Sequence, residues 1–196
     1  MNRALDVLVA GAALLLTSPL LLAAAIAIKL DTRGPVFYRH QRVGMGGAPF
    51  ELWKLRTMVV GAEHIGAGLY IEDRDPRITR AGRALRRLSL DELPNLFNVL
   101  QGDMAIVGPR PTVQVQVDRY TPHQRRRLEV RPGITGWAQV NGRASLPWHE
   151  RIELDVWYVD NRSLLLDLRI LARTARMLVT GHGLYKGERG GWRPTA

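Results

Sequence analysis

The chain contains no cysteine. Disulfide staples, thiolate nucleophiles and cysteine-ligated zinc are therefore excluded, and a reducing compartment fits that composition. Histidine is sparse: His40, His64, His123, His149 and His182 stand far apart. None forms an HExxH or other close pair that would hold a transition metal. Lysine is scarcer still, since Lys29, Lys54 and Lys186 are the only ones among 28 basic residues. No Walker lysine follows a glycine-rich loop, and Gly44, Gly46 and Gly47 lack the spacing and following helix of a dinucleotide site. There is no internal repeat, no low-complexity tract and no long polar linker. A chain of 196 residues with these properties suits one domain with a real core.

Acids are also in short supply, 18 against 28 bases, for a net charge of +10. Such a surplus calls for an anionic partner: nucleic acid, acidic lipid headgroups or phosphorylated substrates. No helix-turn-helix, zinc-finger, RNP or basic-region pattern supports the first of these.

What the chain does have is one long apolar run. Residues 7 to 28 read VLVAGAALLLTSPLLLAAAIAI, with no charge inside. That is about the ~20 helical residues needed to cross a hydrocarbon core of ~30 Å. A cleaved signal peptide would have a shorter apolar core and a small-residue cleavage site. Pro19 near the middle removes a backbone donor, and the Ser18 hydroxyl can bond a nearby freed carbonyl. Arg3 precedes the run, and Lys29, Arg33, Arg39 and Arg42 follow it. The positive-inside tendency would keep both flanks on the cytoplasmic side. A hairpin that enters one leaflet and returns satisfies both features, and a simple signal anchor is the alternative. Either makes this a membrane protein.

Downstream, residues 36 to 55 have the alternation and central glycine turn of a β-hairpin. Residues 79 to 101 predict helix, with Thr79 as cap, Pro94 as interruption and a basic stripe of Arg80, Arg83, Arg86 and Arg87. Leu90-Asp91-Glu92-Leu93-Pro94 then sets two carboxylates among apolar residues. An arbitrary pair of this kind would merely balance the arginines. In this setting, one carboxylate can attack phosphorus and its neighbour can hold Mg²⁺. The turn Val107-Gly108-Pro109-Arg110-Pro111 presents an arginine suited to phosphate, or simply to solvent. Arg125, Arg126, Arg127 and Arg131 cluster near Trp137, as basic and aromatic side chains do at headgroup level. Residues 163 to 180 read as an amphipathic helix, compatible with the membrane interface or with the domain core.

Taken in order, these stretches resemble the bacterial sugar transferases, the monotopic polyprenyl-phosphate phosphoglycosyl transferases. The likeness rests on Arg3 and Asp6, Ser18-Pro19, Gly34-Pro35-Val36-Phe37, Lys54-Leu55-Arg56-Thr57-Met58 and Asp75-Pro76-Arg77-Ile78-Thr79. It continues through Ser89-Leu90-Asp91-Glu92-Leu93-Pro94, the turn at Arg110, and Arg131 through Arg143. The resemblance implies a mixed α/β fold, mainly helical with a small sheet, in the minimal catalytic-domain form of the family. It divides the chain into a reentrant helix-break-helix over 1–30 broken at Ser18-Pro19, a cytoplasmic catalytic domain with interfacial helices over 31–180, and a mobile tail over 181–196. Asp91 matches the family's nucleophile and Glu92 its magnesium ligand. Lys54, Arg56, Arg86 and Arg110 match basic positions that would meet substrate phosphates or active-site carboxylates. The implied reaction moves a sugar-1-phosphate from a UDP-sugar to polyprenyl (undecaprenyl) phosphate, by way of an Asp91 phosphosugar, with release of UMP. This would be the first membrane step of surface-glycan assembly, on the cytoplasmic face of the bacterial inner membrane. The implied partners are Mg²⁺, the UDP-sugar, polyprenyl phosphate and membrane lipids, with no nucleic acid; homo-oligomer formation and the identity of the sugar stay open.

Overall fold

The computed structural model describes residues 2–65, 75–142 and 146–180. Arg143 and the expected tail over 181–196 lie outside these. Among the described residues the architecture is mainly helical, with two small two-stranded sheets rather than one.

Helix α1 (Arg3–Asp31) opens on Asn2, whose side chain accepts from the Leu5 N–H at 3.0 Å. By length and composition it could cross a membrane. Helix runs on both sides of Pro19, the position expected to break it. The reason lies in the hydroxyls. Pro19 has no N–H to give the Leu15 carbonyl four residues earlier, and Ser18 Oγ donates to that same carbonyl at 2.8 Å. Thr17 Oγ1 likewise donates to the Ala13 carbonyl at 2.7 Å.

Both ends of α1 are tied to the rest of the chain. At the start, Arg3 donates to the Val99 and Leu100 carbonyls, and buried Asp6 accepts from the Ile106 N–H at 3.0 Å. Ala10 then enters the main core with Leu52, Leu96, Val99, Met104, Ile106, Tyr158 and Ile170. At the far end, Ala24 and Ile28 pack with Leu55 and Leu85, and Asp31 Oδ2 accepts from the Ala81 N–H at 2.8 Å. Apolar side chains nevertheless stay bare along the helix: Leu8 is 69% exposed, Leu16 80% and Leu30 84%.

Strands β1 (Phe37–Val43) and β2 (Pro49–Leu55) form the expected hairpin, pairing Phe37 with Leu55 and Val43 with Pro49. Helix α2 (Arg80–Arg87) starts at Thr79, whose hydroxyl accepts from the Gly82 N–H. A Cβ on Gly82 would lie 2.0 Å from the Thr57 carbonyl oxygen, so only glycine lets α2 seat here. A 3₁₀ turn, Leu90–Glu92, leads to α3 (Asn95–Gln101). In α3, Asn98 is fully buried and stitches the helix to β2. It accepts from the Trp53 N–H at 3.0 Å and donates to the Glu51 carbonyl at 2.7 Å.

Strand β3 (Ala105–Val107) pairs in parallel with β4 (Gly133–Thr135). A Cβ on Gly136 would lie 2.1 Å from the Gly108 carbonyl oxygen. The glycines flanking these strands thus allow backbone to meet backbone. Between the strands lie α4 (Gln114–Val117) and α5 (Pro122–Arg125), and after them come α6 (Trp137–Val140), α7 (Trp148–Asn161) and α8 (Leu164–Thr180).

Two stretches that read as free basic or interfacial surface are more occupied than expected. Arg127 is buried and paired with Asp155 at 2.5 Å, Arg126 pairs with Asp160, and Arg131 donates to the Gly102 carbonyl. Trp137 stacks on Trp157 at 5.0 Å under the Arg173 guanidinium. Helix α8 serves two surroundings: Ile170 and Asp167 are buried in the domain, whereas Leu164, Leu165, Leu168 and Leu178 are exposed.

Candidate active site

The two carboxylates sit on the short turn between α2 and α3. Ser89, just before it, is the only non-glycine with positive φ among the described residues, at φ 55°. That left-handed step is unfavourable for a residue with a Cβ. It turns the chain between the arginine-rich helix and the acidic pair.

Two elements converge on Glu92. Lys54, near the end of β2, lies 2.9 Å from Glu92 Oε1. Arg110, from the proline-flanked turn after β3, lies 2.5 Å from Oε1 through Nη2 and 3.3 Å from Oε2 through Nη1. Burial alone would raise the Glu92 carboxyl, but Arg110 and Lys54 outweigh it and hold it well below the usual carboxylate range. Glu92 is therefore an ionised, clamped group.

Asp91 is placed differently. Among the described residues its carboxylate has no hydrogen-bond or ion-pair partner, although Lys54, Arg86 and Arg110 act on it through space. Burial, with the Glu92 charge in support, pushes its carboxyl above the usual value against the pull of those cations. A carboxylate that is poorly solvated and unbonded gains by forming a bond to an electrophile.

The cations around the pair are themselves shifted. Burial pushes the Lys54 ammonium down, with Arg110 adding to it and Glu92 opposing. Arg42, from β1, is lowered to about 10 by burial and by Arg110. His40 is lowered to about 4 by burial, Arg42 and Lys54, and stays neutral near pH 7. Arg86 in α2 donates through Nε to the Thr57 hydroxyl at 2.8 Å, which leaves its outer nitrogens for the site.

Arg56 is used elsewhere. Its guanidinium is buried and donates to the carbonyls of Thr32, Arg33 and Pro35 at 3.1, 3.1 and 2.6 Å. It secures the turn that leaves α1. The pair Asp75 and Arg77 is also internal, buried and bonded at 2.6 Å. Ser18 and Pro19 sit at the exposed middle of α1, in a separate part of the chain from the carboxylates. Reading the sequence missed Arg42 as a site residue, and with it Gln139 and Arg151, which line a cavity together with Arg42 and Arg110. Gln139 lay inside a quoted motif; Arg151 carried no signal.

For Mg²⁺ the protein donors are few. No group of three or more His, Asp or Glu residues with metal-binding geometry occurs among the described residues. Mg²⁺ is commonly held by one or two carboxylates together with substrate phosphate oxygens. The acidic pair fits that mode. Glu92 is ionised, and its Oε2 has only the long contact to Arg110.

An unbonded carboxylate beside a clamped one, ringed by cations, is equipped for phosphoryl transfer to or from an anionic substrate. The comparisons give the family: the bacterial sugar transferase profile matches residues 1–181, and the chain belongs to it. It is 45% identical over 184 residues to the "uncharacterized sugar transferase EpsL" of Bacillus subtilis, covering 94% of this chain and 90% of that one. It is 45% identical over 193 residues to the UDP-glucose:undecaprenyl-phosphate glucose-1-phosphate transferase of Caulobacter vibrioides, covering 94% and 72%. A UDP-N-acetylgalactosamine-undecaprenyl-phosphate N-acetylgalactosaminephosphotransferase of Aeromonas hydrophila is also 45% identical, and there the chain spans 44% of the relative's length.

Proposed function

We propose that this chain is a phosphoglycosyl transferase that moves a sugar-1-phosphate from a UDP-sugar onto a polyprenyl phosphate. The observation that carries this reading is the contrast within the acidic pair: Asp91 unbonded, Glu92 held by Lys54 and Arg110. The names of the Caulobacter and Aeromonas relatives supply the substrate classes.

In the first step, an Asp91 carboxylate oxygen attacks the β-phosphorus of the donor. The bond from that phosphorus to the bridging oxygen breaks, and UMP leaves with the electron pair. In the second, a phosphate oxygen of the polyprenyl phosphate attacks the same phosphorus, and the bond to Asp91 breaks to return the free carboxylate. No proton need move in either step. Lys54, Arg86 and Arg110 meet charge on the transferring oxygens. Glu92 would hold Mg²⁺, which would supply further charge neutralisation. Arg56 is assigned to holding the turn after α1.

The same proposal places α1 as a reentrant element, with the domain on the cytoplasmic face of the inner membrane. Support comes from the docking of both ends of α1 on one domain, which leaves an outward apolar face that includes Leu8, Leu15, Leu16, Leu22 and Leu30 to meet lipid.

The test uses purified protein in nanodiscs with Mg²⁺ and a panel of UDP-sugars, with and without undecaprenyl phosphate. Expected are UMP release with one sugar and, without lipid, a phosphosugar adduct by intact mass, both lost in Asp91→Asn. UMP release undiminished in that variant would overturn the role of Asp91. Folded, membrane-bound protein that releases UMP from no UDP-sugar would overturn the donor assignment.

A further inference from the structure

Helix α2 is seated against the chain that leaves β2, and Thr57 lies in that contact. Thr57 is buried, at 6% exposure. Its carbonyl accepts from the Thr79 N–H at 3.0 Å. The same oxygen is the atom that a Cβ on Gly82 would strike. The first turn of α2 is therefore pressed onto the Thr57 backbone, which fixes where the Thr57 side chain can be.

Arg86 stands four residues beyond Gly82, on the same side of the helix. Its Nε donates to the Thr57 hydroxyl at 2.8 Å. Among the described residues its guanidinium makes no other hydrogen bond and no ion pair. A guanidinium is planar, with its five N–H groups in a fixed fork. Once Nε is held by a buried and anchored hydroxyl, the plane and direction of the two outer nitrogens follow.

That tether bears on Asp91. Arg86 is near enough to act on the Asp91 carboxylate through space, yet no bond joins them. An untethered arginine beside a poorly solvated carboxylate would close onto it, as Arg110 closes onto Glu92. An oxygen engaged in that way is a weaker nucleophile. An arginine that swung out to solvent would instead remove its charge from the place where the transferring oxygens gather. A fixed point at Nε prevents both.

We propose that Thr57 is a positioning residue for the transfer step: its hydroxyl holds the Arg86 guanidinium beside the Asp91 carboxylate and off it. This role rests on the transfer reaction proposed above, whereas the contact between the two side chains is measurable without turnover.

Two measurements on the full chain in nanodiscs test it. The first needs no substrate. In protein carrying isotope-labelled arginine, the Arg86 Nε–H resonance is identified by its loss in Arg86→Ala. It should exchange with solvent slowly in the wild type and about tenfold faster or more in Thr57→Val, which keeps the branched shape without the hydroxyl. The second is kcat/KM for UMP release. Thr57→Val should lower it about tenfold or more, and Thr57→Ser, which keeps the hydroxyl, should restore most of it. In an Arg86→Ala background, Thr57→Val should cost nothing further, because its effect runs through that guanidinium. Should Thr57→Val fail to fold, Thr57→Ala carries the same comparison.

Equal losses in both backgrounds would show that Thr57 merely packs, and would overturn the proposal. So would rapid exchange at Arg86 Nε in the wild type. UMP release that depends on Asp91 but ignores the Thr57 hydroxyl would sink this role alone. Slow exchange that depends on Thr57, in protein that releases UMP from no donor, would sink the transferase reading and leave Thr57 as the residue that aims Arg86.

Discussion

Asp91 and Glu92 are adjacent, yet their carboxyls shift in opposite directions because two cations touch one and none touches the other. The shifts make a prediction about pH. Glu92 stays ionised well into acid, so the acid limb of UMP release should belong to Asp91. Its midpoint should lie above the ordinary aspartate value of 3.8, as read from the pH profile of kcat/KM. The same shift bears on stability. A carboxyl raised in the folded state is less favourable there when ionised, so its destabilising effect is present above the folded pKa and fades as pH falls through it. Asp91→Asn should therefore raise the melting temperature at neutral pH while lowering turnover by about 10³-fold or more. A lowered melting temperature would show that the unbonded carboxylate is not under strain. Glu92 behaves in the reverse sense: its depressed pKa gives stability that is present above the unfolded value and lost as pH falls through the folded one. Glu92→Gln should cost both stability and activity, since it leaves Lys54 and Arg110 facing a neutral amide.

At the scale of elements, the site depends on α3 gripping β2. Asn98 meets the strand's Trp53 N–H and Glu51 carbonyl together, and it is fully buried. Asn98→Ala should destabilise the fold by about 3 kcal/mol, because backbone groups would lose buried partners; chemical denaturation measures it. Gly136→Ala should prevent folding altogether, given the 2.1 Å approach its Cβ would make to the Gly108 carbonyl.

The elements also divide what was legible in the sequence from what was not. The apolar run, the hairpin over 36 to 55 and the Thr79 cap are local patterns, and each appears where periodicity and turn chemistry put it; the helix expected over 79 to 101 instead ends at Arg87, and Pro94 opens α3. The Ser18 hydroxyl meets the carbonyl freed by Pro19, as its place before the proline suggested, and helix continues on both sides of it. Arg56 could not be told from Arg110 by type or spacing. The difference is tertiary: one faces three carbonyls of a turn, the other a carboxylate. Gln139 and Arg151 come together only because α6 and α7 fold against the turn that carries Arg110. No short-range signal encodes such a meeting.

For the molecule as a whole, the reentrant reading of α1 makes a prediction about sidedness. The chain's lack of cysteine gives a clean background for single-cysteine labelling. Ala4→Cys and Arg33→Cys, at exposed positions flanking the apolar run, should both react with an impermeant maleimide applied to inside-out vesicles and neither in right-side-out ones. Labelling of the two from opposite sides would mean that α1 crosses the bilayer.

Because Arg3 and Asp6 fasten one end of α1, and Ile28 and Asp31 the other, no hinge separates the apolar helix from the carboxylates. The protein then behaves like a hull with a set waterline: however far the exposed leucines sink, Asp91 sinks with them. Lipid substrates would be sorted by the depth at which they carry their phosphate, and a thinner or thicker leaflet would retune the enzyme without touching a single side chain of its site.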